Sequence, residues 1–184
     1  MLEITSTVIP DVKVLLPKAF GDARGTFSET YNAARLAEQG ITLNFVQDNQ
    51  SWSALAGTVR GLHFQSPPKA QDKLVRVIRG RILDVVVDLR RASPTYGKWV
   101  AEELSAKNRR QLLVPIGFAH GFCTLEPDTE VFYKVTDFYS PANDLGIAWD
   151  DPDLAITWPV TRDKVVLSEK DKLQPAFKSL PAYF

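Results

Sequence analysis

Cysteine is all but missing from this chain. Cys123 stands alone, so no disulfide can form within the chain, and a reducing compartment is the natural setting for such a sequence. Net charge is missing too. The 22 basic residues offset 22 acidic ones, without the basic excess that nucleic acid or an anionic membrane surface would want. A small anion held by a few local arginines stays open. No stretch approaches the ~18 apolar residues of a membrane span. The opening MLEITSTVIPDVKVLLPKAF is broken by Pro10 and by acids, so no signal peptide is expected. Fixed repeats, low complexity and long linkers are absent as well. We therefore expect a soluble, cytoplasmic protein with no nucleic-acid or membrane partner, folded as one domain over residues 1–184.

What is present is a succession of short runs rich in Val, Phe, Tyr and Thr, residues that favour pleated surfaces. TSTVI, VKVLL, TFSETY, LNFVQ, TVRGLHF, KLVRVI, RILDVVVDL, KWVAEEL, QLLVP, GFAHGFCTL and EVFYKVTDF all read as strands. Only NAARLAEQG reads as a helix, with Asn32 as N-cap and Gly40 as its stop. A further helical turn is expected near SEKDKL. Many strands and one or two short helices at this length predict an all-β jelly roll or barrel. The proline-broken tail QPAFKSLPAYF is expected to wrap the surface or a partner subunit. Trp52, Trp99, Trp149 and Trp158 are expected in the core or at a subunit interface.

Strand parity singles out polar residues among apolar ones. Lys73 is in phase with Val75 and Val77, Asp84 with Ile82 and Val86, and Tyr133 with Val131 and Val135. Tyr139 continues the Tyr133 parity, and Phe138 opposes it. Side chains two apart line one face. Buried polar groups are costly unless paired or used, so a lysine, an aspartate and a tyrosine inside a barrel point to a site.

Histidine is scarce in the most telling way, with His63 and His120 the only two. Pro115, Gly117 and His120 have the P-x-G-x-x-H spacing of the second cupin motif. Gly61-Leu-His63-Phe-Gln65 falls where the first motif would offer H-x-H, with Gln65 in place of the second histidine. A metal-binding cupin wants about three histidines and a carboxylate on one ion. We therefore expect a cupin outline with no metal and no cofactor, and acid–base chemistry in its stead.

The segments GDARGTFSETY, FVQDNQS, VRGLHFQ, KLVRVIRGRILDVVVDLR, SPTYGKW, LLVPIGFAHGF, YKVTDFYSP, GIAWDDPDLAITWP and LSEKD resemble, in that order, the dTDP-4-dehydrorhamnose 3,5-epimerase family. The resemblance runs from about Phe20 to Asp171. It implies a cupin-type double-stranded β-helix, a homodimer and a metal-independent epimerase acting on a dTDP-4-keto-6-deoxyhexose. It implies His63 as base, Asp171 as the carboxylate that orients it, Tyr133 as proton donor and Lys73 as the cation for the enolate oxygen. For the substrate it implies Arg24, Phe27 and Glu29 of RGTFSE, Gln47, Asp48 and Asn49 of QDN, Arg60, Lys73, His120, Lys170, and Tyr139 stacked on thymine. Asp84 is the expected partner of His120. One position departs from the family: Asp144 stands where a glutamate is usual, and the shorter carboxylate bears on nucleotide binding.

Three other readings fit the same residues less fully. A 5-only epimerase and a 3,4-ketoisomerase share the enolate chemistry, and fold alone does not separate them. A non-catalytic sugar-nucleotide-binding cupin would keep Arg24 and Arg60 but would not need a histidine paired with an acid. Deuterium entry at C3 and C5 discriminates among these readings.

Overall fold

Short β-rich runs punctuated by Gly, Pro and Asp leave little room for helix, and the computed structural model, which describes residues 2–184, is built accordingly. In chain order the elements are β1 (Glu3–Ser6), β2 (Lys13–Leu16), β3 (Ala19–Asp22), β4 (Gly25–Ser28), α1 (Ala33–Glu38), β5 (Gln47–Ser53), β6 (Val59–Gln65), β7 (Lys73–Arg79), β8 (Arg81–Asp88), β9 (Trp99–Ser105), β10 (Gln111–Val114), β11 (Phe118–Thr124), β12 (Thr129–Val135), β13 (Asp144–Gly146) and α2 (Glu169–Lys172). A single 3-10 turn follows at Phe177–Ser179. Among the described residues no helix is long and apolar enough to cross a membrane.

Two antiparallel sheets carry the fold, one ordered β1-β2-β10-β7-β12-β5 and the other β13-β6-β11-β8-β9. This is a cupin-type jelly roll. Val75, Val77, Leu112 and Val131 from the first sheet meet Ile82, Val86, Leu104 and Phe122 from the second in one buried cluster. The outer faces are covered too. The chain after Leu154 lays Phe177, Tyr183 and Phe184 over Leu62, Phe64 and Val85 of the second sheet, so the proline-broken tail wraps its own domain. Leu36 of α1 and Ile41 cover Leu15, Leu74 and Leu113 of the first sheet. Burial on both faces explains why β8 and β11 read as nearly unbroken apolar runs.

The helix forms where expected. Asn32 accepts from the backbone N–H of Ala34 and Arg35, and Gly40 takes up positive φ just past the end. The turn at SEKDKL is α2, capped by Ser168.

Several strand expectations need correction. LNFVQ is not a strand. The ladder begins at Gln47 and runs through polar QDNQSWS, because this edge strand turns one face to solvent and the other to the site rather than to apolar neighbours. β3 and β13 are pairings the pattern does not announce. Past Val135 the chain leaves the sheet, so strand parity does not govern Phe138 and Tyr139, and both are exposed. Trp149 is buried, whereas Trp52 lies exposed on β5.

Candidate active site

The two histidines, far apart in sequence, are neighbours in space. β6 and β11 pair antiparallel with His63 directly opposite His120. The register then slips: His120 faces His63, but Phe122 faces Arg60. One extra residue is accommodated in β6, so Arg60 and His63 line the same cavity despite a spacing that a regular strand would split between faces. Glycine makes the slip fit. A Cβ on Gly61, whose φ is +123°, would stand 2.7 Å from Gly121 Cα and 2.8 Å from His120 O.

Between the sheets this arrangement opens a cavity of about 450 Å³. Thr58, Arg60, His63, His120 and Phe122 line it from one sheet. Ser51, Lys73 and Tyr133 line it from the other, and the segment Val166–Asp171 closes one side.

Each histidine has its own carboxylate. His63 Nε2 lies 2.5 Å from Asp171 Oδ1. The second oxygen of Asp171 accepts from Ser168 Oγ at 2.9 Å, and the Gly61 N–H also bonds the carboxylate. Burial alone would raise this carboxyl's pKa. The bonds from His63, Ser168 and Gly61 outweigh burial and hold it below the usual range. His120 Nε2 lies 2.5 Å from Asp84 Oδ1, the partnership that burial parity suggests. Asp84 is wholly buried, and its Oδ2 has no partner.

Lys73 is also buried, and its Nζ approaches His63 O at 3.4 Å. Burial pushes its pKa down to about 8, against the pull of Asp144 and Asp84. The ammonium is thus still the main form at neutral pH, and it sits in a site where a cation is poorly solvated and strongly felt. Tyr133 stands opposite on β12. Burial raises its pKa, and Asp144 adds to the rise while Arg60 opposes it, so the phenol keeps its proton. Arg60 is steadied by Ser53 Oγ at 3.2 Å and Trp52 O at 3.0 Å.

A second group collects around Asp144. Tyr139 Oη donates to Asp144 Oδ2 at 2.9 Å, and Lys170 forms an ion pair with the same oxygen. On β5, Gln47 and Asn49 share a face and bond each other at 2.9 Å. Asp48 is corrected here. It points to the opposite, exposed face and pairs with Lys134 at 2.9 Å, as alternation along β5 requires. The hairpin residues stand apart from this cavity. Arg24, Phe27 and Glu29 do not reach the cavity of their own chain. Arg24 is exposed and pairs with Asp22 at 2.5 Å, Phe27 is exposed, and Glu29 pairs with Arg35 of α1 at 2.7 Å. They sit on or beside the separate β3–β4 ribbon, whose turn holds Arg24 in place by its Asp22 contacts.

Sequence reasoning passes over three contributors. Ser168 fixes Asp171, and its signal is an S-x-x-D capping pattern. Ser51 Oγ is buried without a partner and faces the cavity, with no sequence signal. Gln65 is noted only as a histidine that is not there. Among the described residues, no group of three His, Cys, Asp or Glu side chains is placed to hold a metal ion.

Residues 6–179 match the family described as dTDP-4-dehydrorhamnose 3,5-epimerase. A dTDP-4-dehydrorhamnose 3,5-epimerase from Sinorhizobium fredii is 53% identical over 179 residues, covering 97% of this chain and 91% of that protein. The crystal structure of a dTDP-4-dehydrorhamnose 3,5-epimerase from Bacillus anthracis, with TDP and PPi bound, superposes with a TM-score of 0.93 at 55% identity, covering 96% of this chain and 99% of that one. A dTDP-6-deoxy-D-glucose-3,5-epimerase from Legionella pneumophila in complex with dTDP-4-keto-L-rhamnose superposes with a TM-score of 0.94 at 45% identity, covering 99% and 96%.

Proposed function

This chain belongs to the dTDP-4-dehydrorhamnose 3,5-epimerase family, and from that premise we propose how its cavity divides the work. The reaction inverts C3 and C5 of dTDP-4-dehydro-6-deoxy-D-glucose to give dTDP-4-dehydro-L-rhamnose. Both carbons flank the C4 ketone. Breaking either C–H bond sends its electron pair onto the ketone oxygen as an enolate, and returning a proton to the opposite face inverts the centre.

His63 takes the proton, and Asp171, held ionised, stabilises the imidazolium that forms. Lys73 neutralises the enolate oxygen. Tyr133 delivers a proton from the other side. The observation that carries this reading is the opposition of the two groups: His63 stands on β6 of one sheet and Tyr133 on β12 of the other, across one cavity. After one inversion His63 holds a proton and Tyr133 has lost one. Exchange with solvent resets both before the second inversion.

Arg60 serves the diphosphate, to which a guanidinium can bond with two N–H groups. Tyr139, Asp144, Lys170, Gln47 and Asn49 serve the nucleotide, with His120 shaping the sugar pocket. Arg24, Phe27 and Glu29 lie off the cavity of their own chain although family resemblance assigns them to substrate. A homodimer in which this hairpin reaches the other copy's cavity reconciles the two. We place the enzyme in the cytoplasm, as one domain over residues 1–184, working through its own side chains without metal or cofactor.

The test is incubation with dTDP-4-dehydro-6-deoxy-D-glucose in heavy water, read by proton NMR. Deuterium entering at both C3 and C5 is the expected result. Label at C5 alone makes the enzyme a narrower epimerase, and no label despite bound substrate makes it a binding module.

A further inference from the structure

β12 ends at Val135, and the segment Asp137–Ser140 runs on without regular structure. Its backbone is nevertheless tied at every residue, and three glutamines do the tying. Gln71 Nε2 donates to Asp137 O at 2.7 Å. Gln65 Nε2 donates to Phe138 O at 3.2 Å. Tyr139 N donates to Gln47 Oε1 at 3.0 Å, and Ser140 N donates to Gln65 Oε1 at 2.8 Å. Gln65 thus brackets Tyr139 from both sides. Its remaining N–H donates to Lys69 O at 2.6 Å, so both N–H groups and the carbonyl are engaged. Two carbonyl partners on one side and an N–H on the other fix which way the amide points. Gln65 is buried, 5% exposed.

The segment so held presents two exposed rings, Phe138 at 61% and Tyr139 at 57%. A ring standing in water on an immobilised backbone is a stacking surface whose ordering cost is met before the ligand arrives. Gln65 also shares a strand with His63, two residues away and on the same side. One strand therefore spaces the base from the platform, by a step of about 7 Å.

We propose that Gln65 is a positioning residue for the nucleotide: it fixes the Tyr139 platform and so sets affinity for the thymidine diphosphate half of the substrate, not the rate of proton transfer. This is the position where a metal-binding cupin would have its second histidine. Here the side chain is spent on loop backbone instead. The proposal rests on the reading that Tyr139 stacks on thymine.

The test measures calorimetric affinity for dTDP together with kcat and KM in Gln65→Leu, Tyr139→Ala and the double variant. Removing Gln65 leaves three backbone groups without their partner. Gln65→Leu is expected to weaken dTDP binding and raise KM by about tenfold, with kcat within about twofold of the parent. In the Tyr139→Ala background the same substitution is expected to add less than about twofold, the mark of two residues acting as one. Additive losses in the double variant, or a fall in kcat matching the fall in kcat/KM, would overturn the proposal while leaving Tyr139 in place. Unchanged dTDP affinity in Tyr139→Ala would instead overturn the platform reading and the proposal with it. Should Gln65→Leu fail to fold, Gln65→Glu carries the same test. It keeps an acceptor for Ser140 N–H but sets a carboxylate against two carbonyls, and dTDP affinity equal to the parent's would sink the proposal.

Discussion

The two histidine–aspartate pairs are alike in geometry and unlike in setting. Each joins Nε2 to Oδ1 at 2.5 Å, and the histidines face one another across β6 and β11. Yet the His63 side chain is 30% exposed, whereas that of His120 is 8% exposed. Asp171 is bonded by Ser168 and Gly61 as well as by its histidine. Asp84 has one oxygen with no partner. In the proposed division of work, the difference separates moving a proton from holding a shape. A base must reach its substrate and must have a counter-ion whose charge is secured by other bonds. A wall residue needs only a fixed orientation.

The sharpest way to break the comparison is to remove the open pair's imidazole. His63→Asn is expected to lower kcat on the order of 10³-fold, within the range for loss of a positioned base, measured by coupled assay. Asp171→Asn keeps the imidazole but removes the charge that stabilises its protonated form, and a loss on the order of 10²-fold in kcat is expected. Lys73 links the two pairs, since its Nζ approaches His63 O at 3.4 Å and the charge of Asp84 acts on it. Its burial-lowered pKa means that the cation is lost as pH rises through about 8, well before a free lysine would titrate. The rate should therefore fall on the alkaline side with a midpoint near that pH. Lys73→Arg should move the limb to higher pH, since guanidinium does not titrate there.

The closed pair is expected to matter less. His120→Asn should cost about tenfold in kcat/KM while keeping exchange at both carbons. Ser168→Ala is the mildest change. It removes the cap of α2 and one bond to Asp171, and about 1 kcal/mol of stability in a denaturant melt is the expected cost, with kcat lowered about threefold.

Much of this was legible where local chemistry and tertiary role agree. Asn32 and Gly40 bracket α1 because capping and positive φ are local demands. Lys73, Asp84 and Tyr133 betray the cavity because polar residues in phase with valines have no cheaper explanation. What was not legible depends on partners distant in sequence. Polar β5 is a strand only because β12 offers it a ladder, and β13 is one only because β6 does. The slip that brings Arg60 and His63 together arises where Gly61 meets Gly121, a contact no single segment announces. Tyr139 shows the reverse failure. Parity carried past the end of β12 assigned it a face, whereas glutamines from three other segments set its place.

The contrast between the pairs is tested most directly by solvent-deuterium exchange at C3 and C5, followed in His63→Asn and His120→Asn side by side under single-turnover conditions. The account predicts that His63→Asn abolishes exchange at both carbons while substrate still binds, and that His120→Asn exchanges at both, only more slowly. Exchange that survives at either carbon in His63→Asn, or that vanishes at one carbon in His120→Asn, would contradict it and assign a proton to the buried pair.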